Sequence, residues 1–153
     1  MNNHPDTPNE AASCGGLPEA YQLIEGLAKR LRQFQEQTLK ETNLTLPQYY
    51  ILTLLAEQDG RPLKELADRL SCSRAAMTGI VDTMEKKDLV TRSPNHADRR
   101  SLLIKLTERG RTILQATPGL EKMFAGCCCE ALPAEEAGEL NRLLKKLSDG
   151  VPF

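Results

Sequence analysis

Leu89–Arg111, LVTRSPNHADRRSLLIKLTERGR, constrains the fold of this chain more than any other stretch. Two short β-type runs, Leu89–Arg92 and Leu102–Leu106, flank a turn ending in Asp98-Arg99-Arg100, and a helix-like segment opens straight after the second run. Just upstream, Leu63–Lys87 has the spacing of two helices joined by a tight turn. Leu63, Leu66, Ala67 and Leu70 share one side of the first helix, and Met77, Ile80, Val81 and Met84 one side of the second. Ser71-Cys72-Ser73 supplies the turn, Ser73 is a good N-cap for Arg74–Lys87, and Asp88 ends that helix. A helix pair followed by a basic hairpin is the build of a winged helix-turn-helix, which grips duplex DNA and performs no catalysis.

The flanks are helical. Met1–Gly16, rich in Asn, Pro, Asp, Ser and Gly, is expected to be a mobile tail. From Leu17 to about Glu41, apolar residues recur at helical spacing (Ala20, Tyr21, Ile24, Leu27, Ala28, Leu31). Thr45 with Gln48 fits a capping box for a helix over about Leu46–Gln58, with Tyr49, Leu52, Leu55 and Ala56 inward; Asp59-Gly60 stops it, and Arg61-Pro62 is placed as a token strand beside the hairpin. Thr107 starts a further helix, whose beginning Gly110 is expected to weaken, and Pro118-Gly119 interrupts it. Leu120, Met123, Phe124, Cys127 and Cys128 continue an apolar face, and a last helix spans Ala134–Leu147. The expected fold is mainly α with a small β-hairpin wing (α+β). It divides into a flexible tail at 1–16, an N-terminal dimerisation helix at 17–45, a winged helix-turn-helix domain at 46–106 and C-terminal dimerisation helices at 107–153. The outer helices carry apolar faces that a second copy would cover.

The net charge of −1 hides an uneven distribution: 12 Lys/Arg against 7 Asp/Glu lie between Arg61 and Arg111, and 8 against 14 elsewhere. No apolar run is long enough to cross a bilayer and Met1–Gly16 lacks a signal-peptide core, so the expectation is a cytoplasmic protein without a membrane partner. Catalysis finds no support, because no phosphate-binding Gly loop, nucleophile motif or dinucleotide fingerprint is present.

For DNA contact the candidates at the front of the second helix are Ser73, Arg74, Ala75, Ala76 and Thr78. Arg74 suits a guanine edge or a phosphate, Ser73 and Thr78 donate hydrogen bonds, and the alanines allow close approach. In the wing, Asp98 is expected to pair with an arginine and hold it in one rotamer while the hairpin tip lies along the minor groove. LKELADRLSCSRAAMTGIVDTMEKKDLVTR and SPNHADRRSLLIKLTERGR together resemble the MarR family, the multiple-antibiotic-resistance-type regulators of bacteria, and the resemblance runs from about Leu17 to Leu147. It implies a dimer of winged subunits that binds pseudo-palindromic operators in double-stranded DNA and represses. The family's wing pattern, Asp-x-Arg, a strand, then Leu-Thr-x-x-Gly, falls on Asp98, Arg100, Leu106, Thr107 and Gly110; by that likeness Arg100 is the minor-groove arginine and Asp98 positions the wing. Two positions depart from the pattern. Gly79 follows Thr78 where relatives often have Arg, and Ser71 stands where they often have Gly. Phosphate contacts are therefore expected to matter, with Thr45, Lys64, Ser73, His96 and Arg99 as candidates.

Family members respond to small phenolic or lipophilic ligands, oxidants or metals. A small-molecule inducer would lie in a cleft between the N-terminal helix, the Leu46–Gln58 helix and the helix after the wing. Among the cysteines, Cys127 and Cys128 are expected to pack, while Cys129 and Cys14 are the redox candidates; the family's oxidant-sensing branch has its thiol in the first helix, where this chain has Tyr21. With no Cys-x-x-Cys or His-x-x-x-His pair, no metal or other cofactor is expected. Three readings stay open: a repressor released by a small inducer, a thiol-based redox-responsive regulator, and a winged-helix protein-interaction module without DNA binding.

Overall fold

The computed structural model describes residues 15–95, 97–98 and 100–152. In chain order these form α1 (Leu17–Leu39), α2 (Leu46–Glu57), β1 (Arg61–Pro62), α3 (Leu63–Arg69), α4 (Arg74–Lys86), β2 (Val90–Pro94), β3 (Leu102–Leu106), α5 (Glu108–Ala116), α6 (Leu120–Cys128) and α7 (Ala134–Gly150). Mainly helical with a small antiparallel sheet, it is the expected class.

The core is aliphatic and lies where α2, α3, α4 and the sheet meet. Ile51, Leu52, Leu55, Leu66, Met77, Val81, Met84 and Ile104 are fully buried, joined by Leu39 from the end of α1 and Leu120 from the start of α6. On α2 the buried stripe runs Gln48, Ile51, Leu52, Leu55, at helical three- and four-residue steps. Ala56, expected inward, sits past the edge of that stripe and is exposed. At the start of α2 the Thr45 backbone N–H donates to Gln48 Oε1 at 3.2 Å, one half of the expected capping box.

The sheet has the order β1-β3-β2. Arg61 faces Ile104 across the β1–β3 ladder, and the β2–β3 hairpin pairs Val90 with Leu106 through Pro94 with Leu102. The first hairpin strand therefore lies further along than the Leu89–Arg92 run suggests. Leu89 belongs to the turn instead: its N–H donates to Met84 O at 2.9 Å, just after Asp88 takes φ 55°. Arg61 is only 5% exposed, and it knits β1 to both neighbouring helices. Its Nε donates to Leu54 O at 3.0 Å, its guanidinium pairs with Glu65, and Glu57 lies 3.9 Å away.

Two conformations explain local sequence choices. Ser71, between α3 and α4, has φ 50°, a left-handed backbone that glycine enters more easily; that fits the glycine the family often places there. At Gly110 the requirement is space. A Cβ there would sit 2.1 Å from Leu89 O, so α5 can lie against the Leu89 turn only because position 110 has no side chain. Gly110, expected only to weaken a helix start, is what lets that helix dock. Thr107 completes the joint, accepting from Gly110 N at 2.9 Å and donating to Asp88 O at 2.6 Å.

The outer helices are largely uncovered. No residue of α7 is buried, and Leu140, Leu143, Leu144 and Leu147 are 37–43% exposed. Tyr21, Leu23, Ile24 and Leu27 on α1 are likewise exposed.

Candidate nucleic-acid interface

The front of α4 projects from the molecule. Met77, Val81 and Met84 bury its inner face, while Ser73, Arg74, Ala75, Ala76 and Thr78 are all exposed. Ser73 caps the helix, its Oγ accepting from Ala76 N at 3.2 Å. Ser73→Ala should cost about 1 kcal/mol of stability, measurable as a lowered thermal midpoint; an unchanged midpoint would show that this cap carries nothing. Thr78 differs from expectation. Its hydroxyl hydrogen is already donated to Arg74 O at 2.9 Å, so the side chain is left with acceptor capacity.

The wing tip is built by side chains that replace backbone partners. Asn95 Oδ1 accepts from Ala97 N at 3.0 Å and Asn95 Nδ2 donates to Ser101 Oγ at 2.8 Å. Asp98 Oδ1 accepts from Arg100 N at 3.0 Å, and Asp98 O accepts from Ser101 N at 2.9 Å. The expected carboxylate–guanidinium pair is therefore not formed with Arg100. Asp98 instead makes a turn two residues long, which fixes the Arg100 backbone and leaves its guanidinium free of any ion pair among the described residues. His96, Arg99 and Cys14 lie outside the described residues.

Between the wing and the helix pair is a cleft of about 490 Å³ whose lining includes Lys64, Arg74, Arg92, Asn95, Asp98 and Arg100. It unites candidates from three segments: Lys64 on α3, Arg74 on α4, and Asp98 with Arg100 in the wing. Among the described residues, Lys64 and Arg74 also make no ion pair. Thr45 stands apart, at the N-cap of α2. Nearby, Lys87 Nζ donates to Asn43 O at 2.9 Å and Gln48 Oε1 at 3.2 Å, tying the α1–α2 turn to the end of α4. Arg92 in β2 was not among the expected site residues. Its guanidinium meets Glu85, and Asp82 Oδ1 at 2.6 Å. The signal was an acidic pair three residues apart on the polar side of α4.

A second cavity, about 520 Å³, lies between α1, α2 and α6, with Leu31, Gln35, Tyr49, Tyr50, Glu57 and Phe124 in its walls. The expected third wall was the helix directly after the wing. That helix, α5, is held against Leu89 by Gly110; α6, after the Pro118-Gly119 break, supplies the wall instead, with Leu120 N 3.5 Å from the Tyr49 hydroxyl. The cysteines part company with expectation at one position. Cys128 is half-buried, but Cys127 is exposed, because α6 buries only Leu120 within this chain. Cys129 is exposed, its Sγ–H donating to Gly126 O at 3.4 Å. Among the described residues no three His, Cys, Asp or Glu side chains gather as a metal ion would need, and no helix is long and apolar enough to cross a membrane.

Known proteins share this arrangement. The family model described as MarR family matches residues 44–102, from the start of α2 through the wing. The transcriptional regulator MgrA of Staphylococcus aureus is 29% identical over 116 residues, covering 76% of this chain and 78% of MgrA. The organic hydroperoxide resistance transcriptional regulator of Bacillus subtilis is 32% identical over 88 residues, covering 58% of this chain and 60% of that protein. A crystal structure of a mutant MarR from E. coli complexed with operator DNA superposes with a TM-score of 0.74 at 27% identity, covering 82% of this chain and 91% of that one. With the exposed helix front and the Asp98-built wing, these likenesses make the chain similar to the MarR family, a family of winged-helix transcriptional regulators.

Proposed function

We propose that this protein is a cytoplasmic, dimeric, sequence-specific DNA-binding repressor, released from a pseudo-palindromic operator by a small molecule bound between α1, α2 and α6. The observation that carries the DNA-binding part is the convergence of Lys64, Arg74 and Arg100, unpaired among the described residues, on the cleft between α4 and the wing. Arg74 at the exposed front of α4 is placed for a base edge or phosphate in the major groove, and Arg100, on a backbone fixed by Asp98, for the adjacent minor groove. Ala75 and Ala76 let the helix approach closely.

Residues 46–106 act as the DNA-binding unit, and 17–45 with 107–153 as the dimerisation helices. The support is the uncovered leucine stripe of α7 and the apolar face of α1, which a symmetric partner would bury. Two copies then present their α4 helices to successive major grooves, about 34–36 Å apart. The apolar-walled cavity beside Tyr49 and Tyr50 lies between α1 and the winged unit, so an occupant that binds better to one separation of the two α4 helices shifts the population away from the DNA-competent one.

Arg100→Ala tests the DNA reading. Losing the minor-groove arginine of each wing should weaken operator binding by about 1–3 kcal/mol per half-site, roughly 5- to 150-fold for each, and reduce the steepness of its salt dependence. Mobility shift on wild-type-selected DNA across salt concentrations measures both. Wild-type affinity in a dimeric Arg100→Ala protein would refute the wing's assignment.

A further inference from the structure

Arg92 lines the same cleft as Lys64, Arg74 and Arg100, but its chemistry is different. It is the one arginine of that group already engaged. Its guanidinium pairs with Glu85 and lies 2.6 Å from Asp82 Oδ1, while its own backbone N–H donates to the other Glu85 oxygen, Oε1, at 3.1 Å. Both oxygens of Glu85 are thus held by a single residue of β2, once by main chain and once by side chain. Asp82 and Glu85 stand three apart on α4, so their carboxylates share one flank of the helix. Arg92 is 23% exposed, which leaves little of it for a phosphate.

We propose that the Asp82–Arg92–Glu85 clasp is a specificity device: it fixes the wing against α4 so that Arg74 and Arg100 enter neighbouring grooves in register, and it makes no DNA contact itself. The inference rests on the DNA-binding reading above. Three features carry it. First, two carboxylates beside a polyanion site are unfavourable, and a point charge would neutralise them as well as an arginine does; the planar fork adds a fixed geometry, meeting Glu85 through one nitrogen and Asp82 through the other. Second, the bond to the Arg92 backbone locates the strand and not merely a side chain. Third, β2 is the strand that leads into the wing tip carrying Asp98 and Arg100. A wing free to swing would still meet phosphates, since these lie everywhere along a duplex, but would lose the simultaneous fit of two grooves that distinguishes an operator. Arg92 is in this sense a positioning residue.

The test is a charge-free variant, Asp82→Asn with Glu85→Gln and Arg92→Gln, compared with wild type on two duplexes: an operator selected by the wild-type protein from random-sequence DNA, and a mixed-sequence duplex of equal length. The variant is one unit more positive than wild type, so electrostatics alone predicts tighter binding to both. The clasp predicts the opposite on one of them. Operator binding should weaken at least tenfold, mixed-sequence binding should hold or tighten, and the salt slope on the mixed duplex should be unchanged, because no phosphate contact has been removed. Operator affinity equal to or better than wild type overturns the proposal. Arg92→Lys keeps the charge and loses the fork; it should cost several-fold on the operator and nothing on the mixed duplex, and it decides the matter by itself if the triple variant does not fold. Wild-type behaviour of Arg92→Lys on the operator counts against the clasp. A wild-type protein that binds neither duplex brings down the DNA-binding reading and this inference with it, whereas normal wild-type selection with an indifferent variant brings down the clasp alone.

Discussion

Gly110→Ala is expected to lower the unfolding free energy by roughly 2–4 kcal/mol. The added carbon would lie 2.1 Å from the Leu89 carbonyl oxygen, and that neighbour is backbone, which cannot rotate away. Either α5 or the Leu89 turn must move. Each movement breaks existing bonds: Thr107 N to Leu89 O at 3.2 Å, Thr107 Oγ1 to Asp88 O at 2.6 Å, and the cap on Gly110 N. Leu89, Val90 and Leu106, all buried beside the contact, would lose packing as well. Chemical denaturation measures the loss directly, and a midpoint within error of wild type would mean that the joint is softer than its geometry implies. An Ala at Gly79, by contrast, meets nothing within 4 Å and should raise helix stability slightly.

The second large effect concerns assembly. Leu140→Lys combined with Leu144→Lys puts two charges at adjacent turns of a helix that buries none of its residues within the chain. The fold of the single chain should survive, with an unchanged circular dichroism spectrum. The proposed dimer should not, because an apolar seam tolerates no unpaired ammonium groups. Light scattering should then report half the wild-type mass. Operator affinity should fall by about 10²–10⁴, the advantage that linking two half-site binders confers. A double variant that stays dimeric would place the seam elsewhere.

Periodicity made the helix pair, the turn between them and the hairpin legible. Met77, Val81 and Met84 recur at the helical period and are fully buried, and the second hairpin strand occupies the run Leu102–Leu106 as read. The token strand at Arg61-Pro62 was readable only because a winged unit demands a third edge. What periodicity could not show was contact between distant segments. Gly110 resembles any weak helix residue until Leu89, 21 positions earlier, is brought against it. Arg92 is one more basic residue until Asp82 and Glu85 come to face it. Asp98 was recognised as organising the wing, but among the described residues its carboxylate accepts from the Arg100 backbone N–H, a partner that side-chain charge complementarity does not point to. Cys127 illustrates the remaining gap: an apolar stripe says that a face should be covered without saying by which chain.

The way α4 is fastened has a consequence for how proteins of this build diverge. Among the described residues its polar ties to other segments lie in its rear half: Asp82 and Glu85 to Arg92, and just beyond its end Lys87 to Asn43 and Gln48. Ahead of Met77, among the described residues, Ser73 is the one side chain hydrogen-bonded, and it bonds only its own helix. Residues 74–76 and 78–79 can therefore be exchanged with little disturbance to the interior, so a new target sequence can be acquired by a handful of surface changes while the scaffold that carries them stays the same. On the proposed DNA reading, the share of operator preference that lies in the front of α4 is open to laboratory selection with a library confined to those five positions.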